Sequence, residues 1–174
     1  NYKDGKRDGL WTTWFEGGNK EKEKTFRDGI LTDTFAWLPN GERCPFTNLK
    51  NGDGVVVHYY PNGQKWFKLN YKNYETFEPD GISISWYANG QKVGEVNREN
   101  GELDGLGTSW YESGQKRSEA NYKDGKVLSV QVWKPDGEEC PLTNLKDGNG
   151  FLIWYEDDGT EGSRTSYKNG ERVD

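Results

Sequence analysis

The chain has no methionine, one histidine and two cysteines in 174 residues, and hydrophobic residues make up only 31% of it. Each shortage closes off a class of protein. No run of about 18 apolar residues occurs, so no segment reads as a transmembrane helix. Basic residues are not in excess. The net charge is −6, which disfavours nucleic acid and electrostatic docking to anionic lipid. One histidine and two distant cysteines do not furnish a zinc tetrahedron, so no metal and no cofactor are expected. No secretory leader is visible. The chain opens mid-motif at Asn1-Tyr2-Lys3-Asp4-Gly5 without a methionine, so it reads as a fragment of a longer protein, secreted or periplasmic location included.

Aromatics and glycine are plentiful. Aromatics reach 14%, with eight tryptophans, and there are 23 glycines. Disordered chains are poor in aromatics, so a folded structure is expected, with rings supplying most of the burial. The phrase Trp110-Tyr111-Glu112-Ser113-Gly114-Gln115-Lys116 recurs as Trp86-Tyr87-Ala88-Asn89-Gly90-Gln91-Lys92 and as Tyr59-Tyr60-Pro61-Asn62-Gly63-Gln64-Lys65. Looser copies centre on Gly18, Gly41, Gly137 and Gly159. Asn-Gly and Asp-Gly between β-favouring runs signal hairpins, because both turn residues take positive φ. The phrase therefore predicts seven hairpins repeating every 22 to 27 residues.

Four residues before each turn glycine stand Trp14, Trp37, Tyr59, Trp86, Trp110, Trp133 and Tyr155, an aromatic ladder. Period-two alternation puts Val55 and Val57, Ile82 and Ile84, Leu106 and Thr108, Phe151 and Ile153 on the same strand face. That face is the predicted apolar one. The outgoing strands are more hydrophilic, as in Lys20-Glu21-Lys22-Glu23-Lys24. Eight residues past the turn glycine, however, they carry Phe26, Leu49, Tyr71, Tyr122, Leu145 and Tyr167. A second turn, Lys-Asp-Gly or Lys-Asn-Gly, usually follows. The reading is an all-β, elongated, single-layer antiparallel meander of about fourteen strands, forming a single repeat domain over residues 1–174.

A longer period lies over the short one. Residues 1–78 align without a gap on 97–174 at an offset of 96, with about 31 of 78 positions identical. The best-matched block is Cys44-Pro45-Phe46-Thr47-Asn48-Leu49 against Cys140-Pro141-Leu142-Thr143-Asn144-Leu145. The duplication divides the chain into 1–96 and 97–174. No distinct capping segment is present, so caps outside this stretch, or end-to-end self-association, are expected.

Trp86-Tyr87-Ala88-Asn89-Gly90-Gln91-Lys92 and Tyr122-Lys123-Asp124-Gly125-Lys126 resemble the core of bacterial variant MORN repeats, tandem β-hairpins of about this length. The resemblance covers essentially the whole chain. It implies a single-layer meander curved into a groove, serving as scaffolding or as a module for protein or lipid contact. Related bacterial proteins are often labelled antitoxin components. The Cys-Pro-x-Thr-Asn hairpins depart from the core pattern.

Among candidate sites, the outer-face residues Tyr60, Trp66, Tyr87 and Tyr111 suit a recognition surface, for protein first and for sugar rings second. Cys44 and Cys140 lie eight strands apart, roughly 38 Å in a flat sheet at about 4.8 Å per strand. A disulfide needs Cα atoms within about 7 Å, so two thiols are expected. His58 aligns with Trp154 and has no nucleophile motif beside it, which argues for packing rather than catalysis. The acidic turns Asp4–Gly9, Asn51-Gly52-Asp53-Gly54 and Asp147-Gly148-Asn149-Gly150 lack EF-hand spacing and read as turn chemistry. The expectation is a non-enzymatic scaffold for a protein partner. A carbohydrate-binding surface and an antitoxin-like role are the alternatives.

Overall fold

The computed structural model describes residues 1–51, 53–72 and 78–173, with backbone only at 45 and 46. Every regular element among them is a strand. The chain forms two compact units, Asn1–Ser83 and Ile84–Asp174, a division that does not fall where the duplicated sequence divides. The first unit contains β1 (Tyr2–Lys3), β2 (Lys6–Arg7), β3 (Gly9–Trp14), β4 (Lys20–Arg27), β5 (Ile30–Trp37), β6 (Arg43–Lys50), β7 (Asp53–Tyr59) and β8 (Lys65–Tyr71). β9 (Gly81–Trp86) carries the division. The second unit contains β10 (Lys92–Glu99), β11 (Glu102–Trp110), β12 (Lys116–Lys123), β13 (Lys126–Val132), β14 (Gly150–Tyr155), β15 (Glu161–Lys168) and β16 (Glu171–Arg172). β3 to β8 pair antiparallel in sequence order, as do β10 to β13. β14, β15 and β16 form a separate three-stranded sheet. The protein is all-β, an antiparallel meander of hairpins.

Two kinds of turn alternate, and the structure corrects the chemistry expected of the first. At each phrase only the glycine has positive φ. Asn62, Asn89 and their equivalents do not. Tyr111 N–H donates to Gln115 O at 2.9 Å and Gly114 N–H to Tyr111 O at 2.9 Å, and the other six phrases repeat this pair of bonds. This is a three-residue loop, a type I turn closed by a left-handed glycine that makes a bulge. The residue before the glycine acts through its side chain instead. Asn89 Oδ1 accepts from Gln91 N–H at 2.9 Å, and Asn62 from Gln64 N–H at 3.0 Å. The paired positive φ values belong to the second kind of turn, at Asp28-Gly29, Asn100-Gly101 and Asp124-Gly125, which are two-residue turns of the mirror-image type.

The ladder face carries one core cluster, Val132, Cys140, Ile153 and Tyr155, and two more lie off it. In the first unit, buried Phe26, Leu31 and Leu49 pack with Trp11, Val56 and Tyr71. In the second, buried Val127, Leu145 and Leu152 pack with Tyr122, Val130, Trp154 and Tyr167. These clusters contain the column read on the outgoing strands, Phe26, Leu49, Tyr71, Tyr122, Leu145 and Tyr167. Register explains the choice. Phe26 faces Leu31, Leu49 faces Gly54, and Gly54 faces Tyr71, so the column becomes one stripe. Gly54 leaves the gap between Leu49 and Tyr71 open. A Cβ there would run into the carbonyl oxygen of Asn48. On the expected apolar face, Val57 and Ile153 are buried but Ile82 and Leu106 are exposed.

The matched Cys-Pro blocks do not fold identically. Arg43–Lys50 is a strand, whereas 134–149 contributes only isolated bridges, Trp133 to Glu139 and Lys146 to Asn149. In the second copy Leu152 and Ile153 are both buried, so β14 packs on both faces. The nearby backbone bonds accordingly: Gly148 N–H reaches Leu128 O, and Asn144 N–H reaches Phe151 O.

Candidate functional site

The phrase residues are best understood one at a time. Tyr87 Oη donates to Trp110 O at 3.0 Å, and Tyr111 Oη donates to Trp133 O at 2.8 Å. Each tyrosine reaches the ladder residue of the next hairpin. The phrase lysine makes the parallel connection. Lys20, Lys92 and Lys116 lie 4.6, 5.4 and 4.9 Å from the ring centroids of Trp37, Trp110 and Trp133. The same lysines pair with Glu23, Glu95 and Glu119 three residues on. Asparagine adds a third link: Asn19 Nδ2 donates to Pro39 O, and Asn89 Nδ2 to Glu112 O. The phrase is a lateral staple, and its aromatic and polar groups are occupied by the neighbouring hairpin.

This changes the standing of two residues singled out for recognition. Tyr111 is 1% exposed, not outward-facing. Its hydroxyl is committed to a backbone carbonyl, and Arg117 lies 5.3 Å over its ring. Burial raises its pKa. Tyr87 is half-buried, and burial raises its pKa too. Trp66 is 49% exposed. Its ring lies 6.0 Å from Tyr60 and 4.8 Å from Phe67, so it is braced from two sides. Beside Tyr60, two turns enclose a groove of about 320 Å³ lined by Leu38, Pro39, Pro61 and their neighbours. Along the ladder, Trp14 is 61% exposed, Tyr155 is buried and the other five are half-buried.

Tyrosine replaces tryptophan in the ladder only at Tyr59 and Tyr155, and both face a cysteine. Tyr59 Oη lies 2.8 Å from Cys44 Sγ, and Tyr155 Oη 3.3 Å from Cys140 Sγ. Thr47 and Thr143 sit within 3.7 Å of the same sulfurs. Thr47 Oγ1 also accepts from Val57 N–H at 3.0 Å and donates to Val57 O, while Thr143 Oγ1 accepts from Ile153 N–H. A threonine hydroxyl thus stands in for a strand partner where the ladder opens. This is the physical content of Cys-Pro-x-Thr-Asn, and sequence reading missed it. The signal was there: each exceptional tyrosine lies fifteen residues after a cysteine. Both thiols are free and buried. Burial works against ionising Cys140, but hydrogen bonds from Tyr155, from Thr143 and from backbone N–H groups outweigh it and hold its pKa below the ordinary value. The bond to Cys140, helped by burial, pushes Tyr155 up to about 12, and burial with the Cys44 bond raises Tyr59.

His58 accepts from Lys22 Nζ at 2.9 Å through Nδ1 and stacks on Phe67 at 4.2 Å. Burial, then Lys22 and Lys24, lower its pKa to about 4, so it is neutral near pH 7. Among the described residues no group of three or more His, Cys, Asp or Glu could hold a metal ion. The Asp147–Gly150 turn spends oxygens on hydrogen bonds: Asp147 O accepts from Asn149 Nδ2, Gly148 O from Gly170 N–H and Asn149 Oδ1 from Asn169 N–H. In the Asn51–Gly54 turn, Gly52 lies outside the described residues.

The sequence model described as MORN repeat variant matches residues 7–28, 52–73, 79–100 and 103–124, together half of the chain. The chain belongs to the MORN repeat variant family. A search of curated proteins returns no match. The MORN matches fall on hairpins with the stapling phrase and pass over those that contain Cys44 and Cys140. MORN repeats are generally a non-catalytic module for contact with proteins or membranes. Among the described residues no helix is long and apolar enough to cross a membrane.

Proposed function

We propose that this MORN-repeat chain is a non-catalytic scaffold that binds a protein partner through the aromatic patch of its first unit, centred on Trp66 with Tyr60. One observation carries the reading. Trp66 is half exposed, yet it is braced by Tyr60 and Phe67. A large ring already fixed in place loses little rotamer freedom on binding, and tryptophan and tyrosine dominate interface energetics. The groove beside Tyr60 gives a partner a concave edge to enter. Tyr87 and Tyr111 belong to the second unit, where each bonds the ladder residue of the next hairpin.

The test is Trp66→Ala, used as bait beside the wild-type chain. The expected outcome is one protein retained stoichiometrically by the wild type and weakened about a hundredfold by the variant, as for an aromatic hot spot worth about 2 to 3 kcal/mol. An unchanged melting curve would place the loss at the surface. The same exposed rings also suit a sugar. If soluble glycans shift the tryptophan fluorescence of the wild type but not of Trp66→Ala, and no protein is retained, the carbohydrate reading replaces this one.

A further inference from the structure

Three cations gather on one face of the first unit. Lys22 and Lys24 alternate along β4, and the register sets Trp11 of β3 opposite Lys24. Arg7 lies 5.3 Å over the Trp11 ring and 5.4 Å over the Phe26 ring. Lys22 Nζ reaches past β5 and β6 to His58 Nδ1 at 2.9 Å. β4 and β7 are three strands apart, about 14 Å in a flat sheet, so the sheet curls toward this face. The cations are poorly matched. Glu21, 3.2 Å from Lys22, is the one carboxylate acting on Lys22, Lys24 or His58. Among the described residues, neither the Arg7 guanidinium nor the Lys24 ammonium has an ion-pair partner. Lys24 is half-buried; burial, then Lys22 and Arg7, lower its pKa against the pull of Glu21. The Trp11 Nε1–H is buried without an acceptor.

The duplicated sequence holds the comparison that gives this cluster meaning. At the offset of 96, Arg7, Lys22, Lys24 and His58 become Leu103, Ser118, Ala120 and Trp154, and Glu21 becomes Arg117. The second copy forms the matching strands β11, β12 and β14 without the cluster. These hairpins therefore do not need it to fold. Like charges gathered on a half-buried face repel, and burial adds a cost for each charged group. An anion on the face offsets both. We propose that Arg7, Lys22 and Lys24 form a carboxylate-binding site that receives an acidic segment of the protein partner, a reading that rests on the scaffold function given above.

Position and charge both support this occupant. The site adjoins the exposed aromatic patch: His58 stacks on Phe67 at 4.2 Å, and Phe67 lies 4.8 Å from Trp66. Lys22, His58, Phe67 and Trp66 thus make an unbroken line of contacts from the cations to the exposed indole. One partner segment with an acidic side chain beside an apolar one spans both. A carboxylate takes charge-assisted hydrogen bonds from guanidinium and ammonium groups, the stronger kind. Glu21 already seats a carboxylate on Lys22. The net charge of −6 opposes a multiply charged anion more than a single carboxylate, so a phosphate dianion is the weaker fit.

The test is an NMR titration of the full chain with the blocked peptide acetyl-Glu-Gly-Glu-amide, with acetyl-Gln-Gly-Gln-amide and with inorganic phosphate. The expected result is saturable binding of the glutamate peptide alone, with shifts at the Trp11 indole N–H, the β4 amides and His58. Lys24→Ala and Arg7→Leu each install the second-copy residue and are expected to weaken that binding about tenfold. Arg7 is exposed, so Arg7→Leu carries the test if Lys24→Ala fails to fold. Lys168→Ser removes the same charge from an exposed position in the second unit and leaves binding unchanged. The same two variants are expected to weaken capture of the protein partner without changing the melting curve. The peptide has no aromatic residue, so its binding does not depend on the Trp66 patch. Peptide binding with no protein retained by the wild type supports the site and removes the scaffold reading. Full-strength partner retention by both variants overturns the proposal and leaves the scaffold reading standing. Equal binding of the glutamine peptide, tighter binding of phosphate, no saturation, or equal weakening by Lys168→Ser also overturns it.

Discussion

Tyr60 and Tyr111 occupy the same place in the repeated phrase, but Tyr60 stands beside the exposed Trp66 and Tyr111 is buried on a carbonyl. Sequence periodicity could place both next to a turn. It could not show that Tyr111 would be buried and Trp66 left half exposed. Tyr111→Phe removes only that bond, so a loss of about 1 kcal/mol in urea unfolding is expected, with no change in m-value. Thr47 is a stricter case, because its hydroxyl satisfies both backbone groups of Val57. Thr47→Val leaves those buried groups unpaired and is expected to cost about 1 to 3 kcal/mol by the same measurement. His58 makes a prediction about pH. Its pKa falls from 6.5 to about 4 on folding, so between these values the unfolded chain binds the extra proton. Stability should be level above pH 6.5, fall as pH drops toward 4, and then level off with respect to this group. A series of urea midpoints on His58→Gln should lack that part of the slope.

At the scale of elements, hairpin identity was legible and hairpin chemistry was not. Glycine spacing located every phrase turn, because a left-handed position after a short polar run is hard to fill otherwise. The type of turn was misassigned because Asn-Gly serves both kinds. In the phrase the asparagine accepts a hydrogen bond and keeps negative φ, whereas in the Lys-Asn-Gly turns it goes positive. Gly114, at φ +88°, also has the Gln91 side chain pressed against it, with Oε1 3.3 Å from where a Cβ would lie. Gly114→Ala is therefore expected to cost about 1 kcal/mol or more in thermal or urea melts, from strain in the left-handed region. The core column at Phe26, Leu49, Tyr122 and Leu145 was visible as a pattern but undervalued. Its strands are hydrophilic on average, and burial follows register and face rather than mean composition. The unequal fates of 43–50 and 134–149 were not legible at all, since their sequences nearly match and the difference arises from what β14 packs against.

For the whole molecule, the duplicated sequence gives two cores with one plan and different contents. The cluster of Phe26, Leu31 and Leu49 and the cluster of Val127, Leu145 and Leu152 occupy largely equivalent positions, the first packed by Trp11, Val56 and Tyr71 and the second by Tyr122, Val130, Trp154 and Tyr167. Amides of the strands bearing these clusters are expected to exchange slowest with solvent. The two-residue pairings of β1 with β2 and of β15 with β16 should exchange fastest. The account divides the aromatic residues into those that hold hairpins together and those left to meet a partner. The most direct test is a paired urea unfolding and partner-binding measurement on Tyr111→Phe and Trp66→Ala. Lowered stability with intact binding for Tyr111→Phe, and the converse for Trp66→Ala, is the expected outcome. If Tyr111→Phe leaves stability untouched and abolishes binding, the phrase is a recognition surface and the stapling account is wrong.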